Sequence, residues 1–336
     1  MKKILVKKFP LYLFLIATGL LSLILYHLKD TAPQAKIEIQ EAIAPVLEAS
    51  KKMEQLRLHE FTLIKPLLMI EKVSESDHMK ELKRSLDFEI SQLKQNGTVN
   101  DASVYVRSLN NGDWTSVNSN TQYAPGSVIK IAALITFLKM SEQNPGLISR
   151  DFLAPERINK VPKQTFSYEG MVAGKKYNAK DLLNRMIVNS DNQATLIINE
   201  SLDLTLFKKL FTDLGIPEPD VHDPHYSIDV YDLSKFLNIL YNATYLNKNN
   251  SEYALSLLSQ SSFSQGIVSG IPADVTVAHK FGETGNGVEA QLHETAIVYV
   301  GSDPYLITIM TKGKDVQRLP EALSGLSKIT YEKMKS

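Results

Sequence analysis

The chain has 336 residues, 43% of them hydrophobic, enough for one large domain or two small ones around a packed core. Lys plus Arg and Asp plus Glu stand at 37 each, so the formal net charge is zero and gives no electrostatic case for nucleic acid as a partner. With no cysteine, disulfides, thiol chemistry, thiolate metal sites and a lipidated cysteine anchor are all excluded.

The first element is a membrane segment. Lys2, Lys3, Lys7 and Lys8 precede a run from Phe9 to Leu28 that has no charged side chain when His27 is neutral. Twenty helical residues span roughly 30 Å, the thickness of a bilayer core. The run is longer than the about 7–15 residues of a signal-peptide core, and Thr31-Ala32-Pro33 is a poor cleavage site. Residues 1–28 therefore read as an uncleaved anchor, single-pass in the cell membrane. The lysines ahead of it favour a cytoplasmic N-terminus and place the rest of the chain outside the cytoplasm.

Residues 29–64 read as a stalk. Ile39, Val46 and Met53 recur at heptad spacing with Ala42, Ala49 and Leu56 between them, a pattern that hints at a coiled coil and at stalk-mediated self-association. Pro45 interrupts the pattern, so a partly helical spacer fits it better than one long helix.

The globular domain is placed at 65–336. Met79, Leu82, Leu86, Ile90 and Leu93 recur at helical spacing, and Asn96-Gly97 is a stop. Ala102 to Leu109, the turn Asn110-Asn111-Gly112 and Trp114 to Val117 read as a β-hairpin. A helical stretch follows from about Ser127 to Leu258. Thr276 to Lys280, Thr295 to Val300 and Tyr305 to Thr311 read as strands, with a turn at Gly301-Ser302-Asp303-Pro304. Leu319, Leu323, Leu326 and Ile329 mark a last helix. Strands joined by short turns are antiparallel. The expected fold is thus α+β: an antiparallel five-stranded sheet flanked by the terminal helices, with an inserted all-helical lobe.

Three short motifs lie across this domain. Ser127-Val128-Ile129-Lys130 is an S-x-x-K. Ala124-Pro125-Gly126 breaks any earlier structure, so a helix begins at or near Ser127 and Lys130 stands one turn above it. A helix start leaves backbone N–H groups unpaired and favours negative charge. A lysine can act as base toward the serine only if burial or a neighbouring cation lowers its pKa, and Lys280 is a candidate for that cation. Ser190-Asp191-Asn192 is an S-D-N at a break between helices, where all three are also good helix caps. Lys280-Phe281-Gly282 stands where a K-T-G would stand, at the end of a strand.

In this order the motifs resemble the serine penicillin-recognising enzymes, most closely the class A β-lactamase-like group with the penicillin-binding proteins, over roughly Pro66 to Tyr331. The resemblance implies an acyl-enzyme on Ser127, with Lys130 taking its proton and Ser190 delivering a proton to the leaving nitrogen. It implies that Asn192 hydrogen-bonds Lys130 or the substrate amide, and that Asp191 ties the loop down. Lys280 would attract a substrate carboxylate, and Gly282 would admit the substrate to the strand. The N–H groups of Ser127 and Glu283 are the candidates for an oxyanion hole. The implied partners are a β-lactam or a cell-wall peptide, with no metal and no organic cofactor.

Two departures matter. The family usually has Thr or Ser where Phe281 stands, and Phe has no hydroxyl for a carboxylate; Thr284 is a candidate substitute. Class A enzymes also carry a loop glutamate, followed four residues later by Asn, that activates the deacylating water. Leu214 to Tyr226 has no such E-x-x-x-N, and Glu218, Asp220 and Asp223 are its possible stand-ins. Without that base the acyl-enzyme is expected to be long-lived, as in a D-Ala-D-Ala carboxypeptidase or penicillin-binding protein. A catalytically silent wall-binding module and an esterase or amidase for another acyl compound are the remaining alternatives. Asp220, His222, Asp223 and His225 have side chains that suit zinc, but a polar loop with two prolines is the better reading. His293-Glu294 is not an H-E-x-x-H, because Ile297 holds the second His position, and His293 reads as a structural residue at a strand end.

Overall fold

The computed structural model describes residues 53–162, 170–219, 226–285 and 290–335. The expected anchor at 9–28, the heptad positions Ile39 and Val46, and the loop residues Asp220, His222, Asp223 and His225 lie outside these. Among the described residues, no helix is long and apolar enough to cross a membrane.

The chain enters the described fold through a hairpin. β1 (Met53–Arg57) pairs with β2 (Leu67–Lys72). Leu56 and Leu58 pack on the core, as do the buried Leu68 and Met69. This corrects the stalk expectation where it falls on described residues: 53–57 form a strand, because Leu67–Lys72 offers a backbone edge to pair with and Leu56 finds the core beside the buried Leu68 and Met69. The compact unit accordingly begins at Glu54 and not at Lys65.

α1 (Lys80–Gln95) buries Leu82, Leu86, Ile90 and Leu93 on one face. Gly97, at φ +72°, turns the chain out of the helix. β3 (Asp101–Ser108) and β4 (Trp114–Val117) form the expected hairpin. α2 (Lys130–Gln143) is apolar nearly all round and runs through the core. The insert adds β5 (Asp151–Leu153) and β6 (Lys176–Asn178), which pair with each other, so the lobe is helical with one small two-stranded sheet. It continues with α3 (Ala179–Val188), α4 (Asn192–Ser201), α5 (Leu204–Asp213), α6 (Val230–Tyr241) and α7 (Lys248–Leu258). β7 (Thr276–Thr284), β8 (Ala290–Tyr299) and β9 (Tyr305–Gly313) precede α8 (Leu319–Met334).

The five-stranded sheet is antiparallel in the order β4-β3-β9-β8-β7. Its two faces bury different cores, as strand alternation requires. On one face Val104, Val106, Leu292, Ala296 and Ile307 meet α1 and α8. On the other, Tyr105, Ala278, Ile297, Leu306 and Met310 meet α2, α6 and the helical lobe. β7 and β8 run further toward their shared turn than the sequence suggested. Glu283 and Thr284 therefore stand within β7, and His293 lies in mid-strand, wholly buried.

Candidate active site

Ser127 lies in a single 3₁₀ turn, Gly126–Ile129, that runs directly into α2. The expected α-helical start at Ser127 thus comes three residues later, at Lys130. Pro125 has no N–H to donate and Gly126 takes φ +55°, so the chain tightens before it settles into α geometry. Ser127 and Lys130 remain three positions apart on one helical path.

This turn lies against β7 at backbone distance. A Cβ on Gly282 would sit 2.4 Å from Val128 N and 2.7 Å from Ser127 N. A Cβ on Gly126 would sit 2.6 Å from Glu283 O and 3.2 Å from Glu283 N. Two glycines, one on each side, make the approach possible, and the backbone nitrogens of Ser127 and Glu283 both lie at this contact. The sequence reading used Gly126 only as a helix breaker; its role as counterpart of Gly282 is set by a contact 156 residues away in the chain.

Two buried lysines converge on Ser190. Lys130 Nζ donates to Ser190 O at 2.6 Å and to Asn192 Oδ1 at 2.7 Å, and lies 3.3 Å from Ser190 Oγ. Lys280 Nζ donates to Ser190 Oγ at 2.8 Å and to Phe281 O at 2.9 Å. Ser190 is held at φ +56°, a left-handed conformation uncommon outside glycine. Asp191 stabilises that conformation: it is fully buried and caps α4, accepting from the N–H groups of Gln193 and Ala194 at 2.7 and 3.0 Å. Asn192 Nδ2 donates to Pro162 O at 3.3 Å, which fixes the amide so that its oxygen meets Lys130.

Burial lowers Lys130 to about 7, against the opposing charges of Asp191 and Glu283. A neutral lysine amine has two N–H bonds and one lone pair. Its donors are used on Ser190 O and Asn192 Oδ1, which leaves the lone pair for a proton. Of the two causes the sequence allowed, burial is the main one for Lys130, and the repulsion between the two amines lowers Lys280 as well. Lys280 is itself pushed well below its ordinary value by complete burial and by Lys130, with Glu294 pulling the other way. Glu294 sits on the opposite sheet face, bonded to Ile267 N–H at 2.7 Å and to His279 Nδ1 at 2.5 Å.

Phe281 meets this site only through Lys280, whose Nζ lies 4.5 Å from the centre of the phenyl ring. Its ring is buried on the α1–α8 side of the sheet and stacks on Phe263, centroids 4.3 Å apart. Alternation along β7 puts Lys280, Gly282 and Thr284 on the other face, with Thr284 half-buried. Glu218 is exposed and accepts from Thr212 Oγ1 at 2.7 Å at the end of α5. Among the described residues, no group of three His, Asp or Glu is arranged to hold a metal ion.

A sequence model of the β-lactamase enzyme family matches residues 82–334. Among solved structures, a point mutant of PBP-A in acyl-enzyme complex with penicillin G superposes with a TM-score of 0.65 at 18% identity, covering 76% of this chain and 96% of that one. A class A β-lactamase from Mycobacterium abscessus gives 0.65 at 17%, over 75% of this chain and 100% of that one. A β-lactamase from Chitinophaga pinensis gives 0.65 at 15%, over 75% and 99%. At these identities the likeness is one of fold. No curated protein matches the chain. The family match spans both motif-bearing lobes, and the fold is that of its members: the chain belongs to the β-lactamase enzyme family and is a serine hydrolase.

Proposed function

We propose that the protein is a membrane-anchored serine acyl hydrolase whose Ser127 forms a slowly released acyl-enzyme with a β-lactam or a peptidoglycan-derived peptide. The observation that carries this reading is the pair of buried lysines converging on Ser190, one of them lowered by burial to about 7. Neutral Lys130 takes the proton of Ser127 Oγ as that oxygen attacks the substrate carbonyl. The negative charge formed on the carbonyl oxygen is stabilised by the N–H groups of Ser127 and Glu283. The C–N bond then breaks, and the nitrogen takes a proton from Ser190 Oγ, which is replenished from the protonated amine of Lys130. A substrate carboxylate beside Lys280 favours its charged form and draws it into service as the anchor. Thr284, on the same strand face, adds a hydroxyl.

Release of the acyl group needs an activated water. The loop from Leu214 to Tyr226 has no E-x-x-x-N, which favours slow deacylation and a penicillin-binding, D-alanyl peptidase type of activity over rapid β-lactam hydrolysis; of its possible stand-ins, Glu218 is exposed and engaged with Thr212, and Asp220 and Asp223 lie outside the described residues. The apolar segment 9–28 supports an anchor with the hydrolase domain outside the cytoplasm, where cell-wall substrates lie.

Intact-mass spectrometry after incubation with penicillin G tests the reading, with Ser127→Ala alongside. A lasting adduct of one drug mass on the wild type, absent from the variant, is the expected result. Hydrolysed drug without adduct would instead assign a fast lactamase. No adduct, no hydrolysis and no labelling by a fluorophosphonate would leave a binding module.

A further inference from the structure

We propose that His293 is a positioning residue for the nucleophile: held by β9, its imidazole fixes the carbonyl of Ala124 and with it the placement of Ser127 against β7. The inference rests on the acyl-enzyme reading above. His293 lies directly opposite Gly282 in the β7–β8 ladder, on the sheet face that carries Lys280. It is wholly buried. The N–H of Thr311 on β9 donates to His293 Nδ1 at 3.2 Å, so the ring proton is on Nε2. That N–H donates to Ala124 O at 3.0 Å. Burial drives the imidazole down to about 3, so it stays neutral and keeps this tautomer across the working pH range.

A second side chain completes the clamp. Gln291, two residues earlier on the same strand face and nine-tenths buried, accepts from Ala124 N–H at 3.2 Å. Both polar groups of Ala124 are thereby tied to β8, three residues before Ser127. The preceding residue is fixed as well. Tyr123 exchanges backbone hydrogen bonds with Ile228 at 3.0 and 2.9 Å, its ring meets the His293 ring edge-on at 5.3 Å, and its hydroxyl lies 2.9 Å from Ser103 Oγ. From Ala124 the chain has only Pro125 and Gly126 before the nucleophile. Gly126 has φ +55° and would otherwise leave the turn free to swing. The clamp replaces that freedom with two hydrogen bonds, while Gly282 sets how closely the turn is seated. A burial pattern and a strand-end position would not reveal this, because a core histidine satisfied by any backbone carbonyl has the same sequence signature.

The test compares full-length His293→Leu and His293→Gln with the wild type. Gln keeps an N–H donor at about the same reach, and Leu does not. Leu is expected to slow acylation of Ser127 by penicillin G about 10- to 100-fold, since small misplacement of a reacting group is costly. The pH midpoint set by Lys130 stays near 7. Amide exchange over residues 123–130 rises while the other helices keep their protection. Gln is expected to recover acylation to within about threefold of wild type, as one restored hydrogen bond predicts. A folded Leu variant with wild-type acylation and exchange would overturn the proposal, as would a Gln variant no better than Leu. Should Leu fail to fold, Gln291→Leu removes the other bond to Ala124: faster exchange over 123–130 supports the clamp and unchanged exchange overturns it. If neither penicillin G nor a fluorophosphonate labels the wild type, the acyl-enzyme reading fails, and the exchange comparison still decides the clamp.

Discussion

In the proposed mechanism the chemistry turns on one residue, Lys130. Its side chain is removed from water by the helical lobe, which lowers it to about 7, and its two strongest acceptors are placed by the capped start of α4. A base works in its deprotonated form, so acylation should rise with pH through about 7 and level off above it. Stopped-flow acylation from pH 5.5 to 9 measures this, and a flat profile would remove Lys130 from the base role. Lys130→Arg keeps a charge at every accessible pH and should cost about 10²- to 10⁴-fold in acylation with no rise, the usual weight of general-base catalysis. Ser127 and Lys130 were legible in the sequence because residues three apart on a helical path share a face, and Ser190 and Asn192 through the S-D-N motif that resembles the family's. The left-handed backbone of Ser190 and the pairing of Gly126 with Gly282 were not legible, because each is set by neighbours remote in the chain.

At the scale of elements, β7 separates two roles by alternation. Lys280, Gly282 and Thr284 face the site, and Phe281 faces α1 and α8 against Phe263. The departure from the family's usual hydroxyl therefore reads mainly as a packing change, the ring touching the site only where Lys280 Nζ lies 4.5 Å from its centre. Phe281→Thr, which restores the family residue type, should lose about 2–4 kcal/mol of stability by leaving a cavity beside Phe263. Urea denaturation measures the loss, and acylation by penicillin G should stay within about threefold of wild type. A gain in acylation without loss of stability would mean that position 281 reaches the substrate. Strand identity was legible from β-branched and apolar runs, whereas the extra length of β7 and β8 was not. Glu283, Thr284, Gln291 and His293 are polar residues that a ladder partner makes acceptable in a buried strand.

At the scale of the molecule, the hydrolase fold is closed by a hairpin that the heptad pattern disguised. Leu56 and Leu58 cover the core beside Leu68 and Met69, and the two arms are tied by Leu58 N–H on Pro66 O at 2.9 Å and Arg57 Nη1 on Lys65 O at 2.6 Å. A version starting at Lys65 should be less stable than one starting at Met53 by about 2–4 kcal/mol, the burial worth of two leucines. Urea midpoints of the two measure it, and equal midpoints would mean that the hairpin adds nothing to the core.

The sequence by itself determined the order of elements and the two-faced sheet between terminal helices, and its three motifs named the candidate site residues that the fold brings together. The elements follow from local periodicity, and the roles of the motif residues from the family resemblance. The tertiary structure alone decided the charge state available to Lys130 and Lys280, the face taken by Phe281, the strand at Met53–Arg57 and the clamp on Ala124. Burial, ladder register and backbone contact between distant segments govern these properties, and no short window of the chain contains both partners.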